Sequence, residues 1–422
     1  ATALAIAEAA AREDRPWIII EADSRSAERR RAELGFFAPA SLPLLSLPDW
    51  EVLPYDVFSP HPDITSERLL ALAELPHARR GVLIVSVDTL LQRLPPKPYV
   101  AGRSFSLSVG DTLALDAFKL RLTEAGYCSV SQVTDPGDFA LRGSLLDVYP
   151  MGTTSPLRID LFDDEIEAIR RFDPQTQRSG DSLASVRLLP AREIPLDGDS
   201  VRAFRRRYRT RFEGDPTRSA IYRGVSDGMA PAGIEFYLPL FFEETATLFD
   251  YLPDGAVIVD ATFSLETVIG RSWEALRARY DDRCGDIERP LLKPEELFID
   301  EATVLAACHS HPRVTIDTFA RDDESSLGTH APRELRIDAR AERPLAPLKD
   351  FLDGYPGRVL LAADSPGRRE VLGELLRGAS LRAKLVDGWQ AFLESDATLA
   401  ITIAPELAGL ALDSPPLTIL SE

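Results

Sequence analysis

An apolar run that ends on a carboxylate is how a buried parallel strand delivers an acid to a nucleotide, and Val257-Ile258-Val259-Asp260 has that form. In a phosphoryl-transfer site the acid binds Mg²⁺ and its neighbour places the attacking water. Here the neighbour is Ala261, which has no group to offer. The other half of such a site is a glycine-rich loop ending Gly-Lys-Ser or Gly-Lys-Thr, and that sequence occurs nowhere in the 422 residues. Asp260 and Ala261 therefore read as a degenerate acidic motif, and the chain is expected to hydrolyse no nucleotide and to carry no cofactor. Cys308-His309-Ser310-His311 brings a thiol and two imidazoles together, but it lacks a second ligand pair at finger spacing, so no metal site is expected. The serines and histidines form no nucleophile-elbow pattern, which leaves hydrolase chemistry without support.

Recognition is better represented than catalysis. Leu157-Arg158-Ile159-Asp160-Leu161-Phe162 alternates with period two, so Leu157, Ile159 and Leu161 can face a core while Arg158, Asp160 and Phe162 share the other side. An aromatic beside an arginine on a polar face is the kind of anchor that dominates protein interfaces. The competing reading is that Phe162 is covered by another element of its own domain, and the pattern alone leaves both open. Arg142, followed by Gly143, has no obvious local partner and by itself suggests a surface ion pair. Arg202, Arg205, Arg206, Arg207, Arg209 and Arg211, with Tyr208 among them, give a basic helix that could touch DNA phosphate. A solvated face paired with local acids is the preferred reading of that helix.

The elements that must position these residues follow from composition and pattern. At 422 residues, with roughly 100–200 residues per domain, two to four units are expected. A formal charge of −19 disfavours nucleic-acid binding over the whole surface, so any DNA contact must be local. Three widely spaced cysteines argue against a disulfide framework and predict a reducing, cytoplasmic setting. No signal peptide or apolar run long enough to cross a membrane is present, so no membrane partner is expected. The chain starts without Met and stops inside a strand-like run, which suggests a piece of something longer.

Residues 1–104 alternate helix and strand: an Ala-rich helix, the buried run Trp17-Ile18-Ile19-Ile20, a charged helix capped by Ser24 and stopping before Gly35, and apolar Val82-Leu83-Ile84-Val85. This order predicts a parallel sheet with helices on its faces. Pro95-Pro96-Lys97-Pro98 breaks it, and residues 105–190 become β-rich, with Asp163-Asp164 as a hairpin turn. The α/β pattern resumes over 191–325. The expected fold is thus a helicase-like α/β parallel-sheet domain in two halves, 1–104 and 191–325, carrying an inserted α+β domain at 105–190. A polar linker at 326–344 and a small α/β domain at 345–422 complete it.

Three stretches carry a resemblance to a known family. They are Leu47-Pro48-Asp49-Trp50-Glu51-Val52-Leu53-Pro54-Tyr55-Asp56 with its continuation to Leu69, Arg142-Gly143-Ser144-Leu145-Leu146-Asp147-Val148-Tyr149-Pro150, and Leu161-Phe162-Asp163-Asp164-Glu165-Ile166-Glu167. Together they closely resemble the N-terminal portion of bacterial transcription-repair coupling factors, the Mfd family, which is similar in turn to the excinuclease subunit UvrB. The resemblance implies a degenerate RecA-like domain whose insert binds the excinuclease subunit UvrA through two arginines and an aromatic, falling on Arg142, Arg158 and Phe162. It also implies that the full protein has an ATP- and Mg-dependent DNA translocase, a polymerase-binding domain and a C-terminal domain that masks the recruiting face. RNA polymerase, double-stranded DNA and that C-terminal domain are then its further partners. The alternative is an ATP-dependent DNA helicase like UvrB. Where that family has Asp-Glu-Ser-His, this chain reads Asp260-Ala261-Thr262-Phe263, and too few residues follow Trp50 for that family's strand-separating hairpin. The phosphate loop would fall just before Ala1, so truncation could remove it but could not produce Ala261.

Overall fold

The computed structural model describes residues 1–316, 328–335 and 344–421. Two fully buried apolar strands, Pro16–Glu21 and Gly81–Ser86, pair in parallel at the centre of a five-stranded sheet. Its order is Arg313–Thr315, Val257–Asp260, Pro16–Glu21, Gly81–Ser86, Leu44–Leu47, all parallel. Strands apolar on both faces need cover on both faces. Ile18 and Ile20 join one core with Leu69, Leu72, Leu265 and Ile269, while Trp17 and Ile19 join another with Leu4, Leu34 and Phe37. Helices Pro62–Glu74 and Leu265–Arg283 therefore cover one face, and Thr2–Arg12 and Ser24–Phe37 the other.

The second helix differs from its sequence reading. Asp23, not Ser24, is the cap, accepting from the Ser26 N–H at 2.7 Å, and the helix passes through Gly35 to Phe37. Burial of Leu34 and Phe37 outweighs the roughly 1 kcal/mol that a helical glycine costs.

Trp17 pairs with Val257 across the sheet, so the segments on both sides of the β-rich region build one layer. Strands Phe105–Ser108 and Ser185–Leu188 pair antiparallel, with Phe105 opposite Leu188, and so bring the incoming and outgoing chain side by side. Between them lies a six-stranded sheet ordered Ser179–Leu183, Glu165–Phe172, Leu157–Phe162, Leu145–Val148, Asp138–Arg142, Cys128–Ser129. Helix Leu115–Glu124 contributes Phe118 and Leu122 to its core. At the joint, Arg68 is fully buried and donates to both carboxylate oxygens of Glu193 (2.5 and 3.2 Å) and to the Pro48 carbonyl (2.7 Å).

The last unit is a six-stranded sheet centred on Arg358–Ala363, with Leu399–Ile403 and Pro416–Ser421 parallel on either side. Trp389 packs on Phe37 with ring centroids 5.3 Å apart, and Gln390 donates to the Phe37 carbonyl at 2.9 Å. Of the stretch expected to be a linker, Thr329–His330 forms a short strand against Leu410–Asp413. The parts at 317–327 and 336–343 lie outside the described residues. Among the described residues no helix is long and apolar enough to cross a membrane.

Candidate protein-binding face

The alternation of the strand Leu157–Phe162 is realised in the sheet: Leu157, Ile159 and Leu161 are buried, Arg158 and Asp160 are half-buried, and Phe162 is 72% exposed. Pairing extends the outer face across three strands. Arg142 lies opposite Leu145, and Leu145 opposite Asp160; Asp147 lies opposite Arg158 and also Ala140. Directly opposed residues share a face. Arg142, Arg158 and Phe162 consequently stand on the same side, with Arg158 and Phe162 ~13 Å apart along their strand and Arg142 two strands away, ~10 Å.

The hairpin that carries Phe162 is braced. Asp163 takes a left-handed conformation (φ 53°), which Asp tolerates better than most residues. The Asp164 carbonyl accepts from the Leu113 N–H at 2.6 Å, and the Gly110 N–H donates to the Ile166 carbonyl at 2.8 Å. The loop before helix Leu115–Glu124 thus pins the hairpin tip, and the ring is presented from a fixed backbone.

The two arginines are not alike. Arg142 is exposed at a strand end, donating once to the Ser131 carbonyl at 2.5 Å, and Gly143 after it turns the chain at φ 63°. Arg158 departs from the expectation of a free contact residue. Its guanidinium grips Asp147 through Nε (2.7 Å) and Nη2 (2.9 Å), donates to the Gln177 carbonyl (3.3 Å), and lies 4.9 Å from the Phe172 ring centroid. The side chain is only 18% exposed and that of Asp147 3%, and the hydrogen bond to Asp147 raises the arginine's pKa further. Val133, Ala140 and Phe172 form a small apolar cluster on this side. The face has a closed rear around Arg158 and an open front at Arg142 and Phe162.

Asp260 is buried, and its Oδ1 accepts from the Thr262 N–H (3.0 Å) and hydroxyl (2.7 Å) of its own turn. Ala261 is buried against the apolar core, and its N–H donates to the Ile20 carbonyl at 3.0 Å. Cys308 is buried, which pushes its thiol pKa up to about 11, and the His309 ring meets the Leu305 carbonyl at 2.5 Å. Among the described residues no group of three or more His, Cys, Asp or Glu is placed to hold a metal. On the arginine-rich helix Gly198–Arg211, Arg211 is held bidentate by Glu296 (2.7 and 2.6 Å) and Arg207 lies near Glu243 and the Leu240 carbonyl. Sequence reasoning missed Asp147, whose acidity inside an apolar run was its one signal.

The fold defines a class: a parallel α/β platform bearing a module of the UvrB type, since residues 105–194 match the UvrB interaction domain. Residues 351–422 match the D3 domain of MFD. The chain is 37% identical to the transcription-repair-coupling factor of Haemophilus influenzae over 428 residues, covering all of this chain and 37% of that protein. That of Escherichia coli is 40% identical over 380 residues (89% of this chain, 33% of the relative), and that of Mycobacterium tuberculosis 29% over 419 (92% and 33%). The chain belongs with the transcription-repair-coupling factors, and it spans about a third of the length of the relatives it matches.

Proposed function

We propose that this chain is the non-catalytic recruiting region of a transcription-repair coupling factor, and that the outer face of its inserted domain, at 105–190, captures the excinuclease subunit UvrA. The observation that carries the reading is Phe162, 72% exposed on a braced hairpin and on one sheet face with Arg142 and Arg158. A large ring held in water by a fixed backbone has little conformational freedom left to lose on binding. Phe162 and Arg142 make the contacts; Arg158 shapes the face by fixing Asp147. RNA polymerase, double-stranded DNA and a C-terminal domain are partners proposed for the longer protein, as are its ATP-driven translocation and its cytoplasmic location. The helicase alternative would need a second carboxylate after Asp260, and that position is Ala261, buried against the apolar core.

The test is binding of purified UvrA by calorimetry. Phe162→Ala and Arg142→Ala should each weaken capture about thirtyfold, the ~2 kcal/mol of a truncated hot spot, with unchanged melting temperature. Capture at wild-type affinity by the double variant would place the recruiting surface elsewhere.

A further inference from the structure

Arg202, Arg205, Arg206 and Arg209 stand at i, i+3, i+4 and i+7 on the helix Gly198–Arg211, so they form one stripe along a single face. Val201, Phe204 and Tyr208 turn an adjoining side into the core. The stripe has few opposing charges. Arg202, with 72% of its side chain exposed, meets only the still more exposed Asp199. Arg205 donates to the Tyr222 hydroxyl at 3.3 Å, and the Arg209 guanidinium lies 5.5 Å from the Tyr222 ring centroid, so both rest on an aromatic and not on an acid. Among the described residues Arg206, which is exposed, has no hydrogen-bonded or ion-paired partner for its guanidinium. The expected pairing with local acids holds for part of the helix: Arg202 on the stripe meets Asp199, whereas Arg207 and Arg211, which meet Glu243 and Glu296, lie off the stripe.

In a chain of formal charge −19, this row of four arginines has a single carboxylate, that of Asp199, paired with it. We infer that this stripe docks the phosphate backbone of duplex DNA. The row spans ~10 Å of helix, the axial length of about three consecutive phosphates on one strand. Tyr208 and Tyr222 beneath it are buried, so the face offers no exposed ring on which an unpaired base could stack, and single strands have nothing more to gain there than duplex. Contact is to backbone only and carries no sequence preference.

The experiment is fluorescence anisotropy of a labelled 30-base-pair duplex with the whole chain, from 50 to 200 mM salt. One triple variant carries Arg202→Glu, Arg206→Glu and Arg209→Glu. A charge-matched control carries Arg25→Glu, Arg79→Glu and Lys349→Glu, all at exposed positions away from the stripe. The stripe variant should lose more than tenfold in affinity, and its slope of log K against log salt should flatten by about 3, close to one counterion per removed contact. The control should change affinity less than threefold and keep the slope. Equal loss in both variants, or no duplex binding by the unmodified chain at 50 mM salt, overturns the inference. So does a stripe variant that binds duplex normally yet loses capture of a partner protein, which would make the stripe a docking site for an acidic protein surface. Because Arg142 and Phe162 are untouched, binding of UvrA reports separately on the recruiting face.

Discussion

The ion pair of Arg158 and Asp147 and the open ring of Phe162 sit on one sheet face, yet one holds the fold and the other is free to bind. Removing Arg158 leaves a carboxylate that is 3% exposed without its partner, and breaking a pair this enclosed costs several kcal/mol. Arg158→Ala should therefore destabilise the protein by about 2–4 kcal/mol in urea unfolding, whereas Phe162→Ala should stay within about 0.5 kcal/mol. Equal stability of the two variants would show that Asp147 finds another donor. Binding losses of Arg158→Ala are consequently to be read only after correction for folding. Glu235 gives a second residue-scale prediction. Burial lifts its pKa to about 7, while the Ser59 hydroxyl donates to it at 2.8 Å. The folded state keeps this proton where the unfolded chain has released it, so stability falls as pH rises from about 4.5 to about 7. Glu235→Gln, which mimics the protonated form, should gain nothing near pH 4.5 and on the order of 2–3 kcal/mol by pH 8. A gain independent of pH would mean the carboxylate stays ionised in the fold.

Among elements, the joint between the parallel sheet and the inserted domain is crossed by a buried ion pair. Arg68, on the helix Pro62–Glu74, reaches Glu193 just beyond the strand Ser185–Leu188, and the Gly152 N–H donates to the Ser66 hydroxyl of the same helix at 2.8 Å. Arg68→Ala would strand Glu193, which is 5% exposed, and should cost about 3–5 kcal/mol. It should also open the chain near residue 190 to protease. Cleavage unchanged from the parent protein would show that the paired strands Phe105–Ser108 and Ser185–Leu188 hold the insert without the bridge. Much at this scale was legible in advance. The unbroken apolar runs at 17–20 and 257–259 announced buried parallel strands, and the period-two run at 157–162 announced which side of its strand is polar. The course of the helix through Gly35 was not legible, because local glycine propensity points one way and the distant partners of Leu34 and Phe37 point the other.

For the whole molecule, the expectation concerns the hydrolysis of ATP. With Asp260 tied to Thr262 and Ala261 packed into the core, the purified chain should release no phosphate from ATP above a blank, with or without DNA. Turnover abolished by Asp260→Ala would overturn that expectation. The sheet then serves as a platform: the helix Pro62–Glu74 on one face meets the inserted domain through Ser66 and Gly152, and the helix Ser24–Phe37 on the other receives Trp389 and Gln390 of the last unit.

The sequence by itself determined that no carboxylate follows Asp260, since a catalytic group is a matter of atoms and Ala261 has none that could hold a water. It also determined the alternation of Arg158, Asp160 and Phe162, because successive side chains of a strand must point to opposite faces. Which of those polar-side residues stays open was decided only by the tertiary structure. Asp147 lies on a different strand and meets Arg158 through the register of two antiparallel segments, and that register is set by the burial of many residues at once. The same holds for the arginine stripe. Helical spacing puts four arginines on one face, but only the packing of Tyr222 and the scarcity of facing acids, both decided by other segments, leave that face charged.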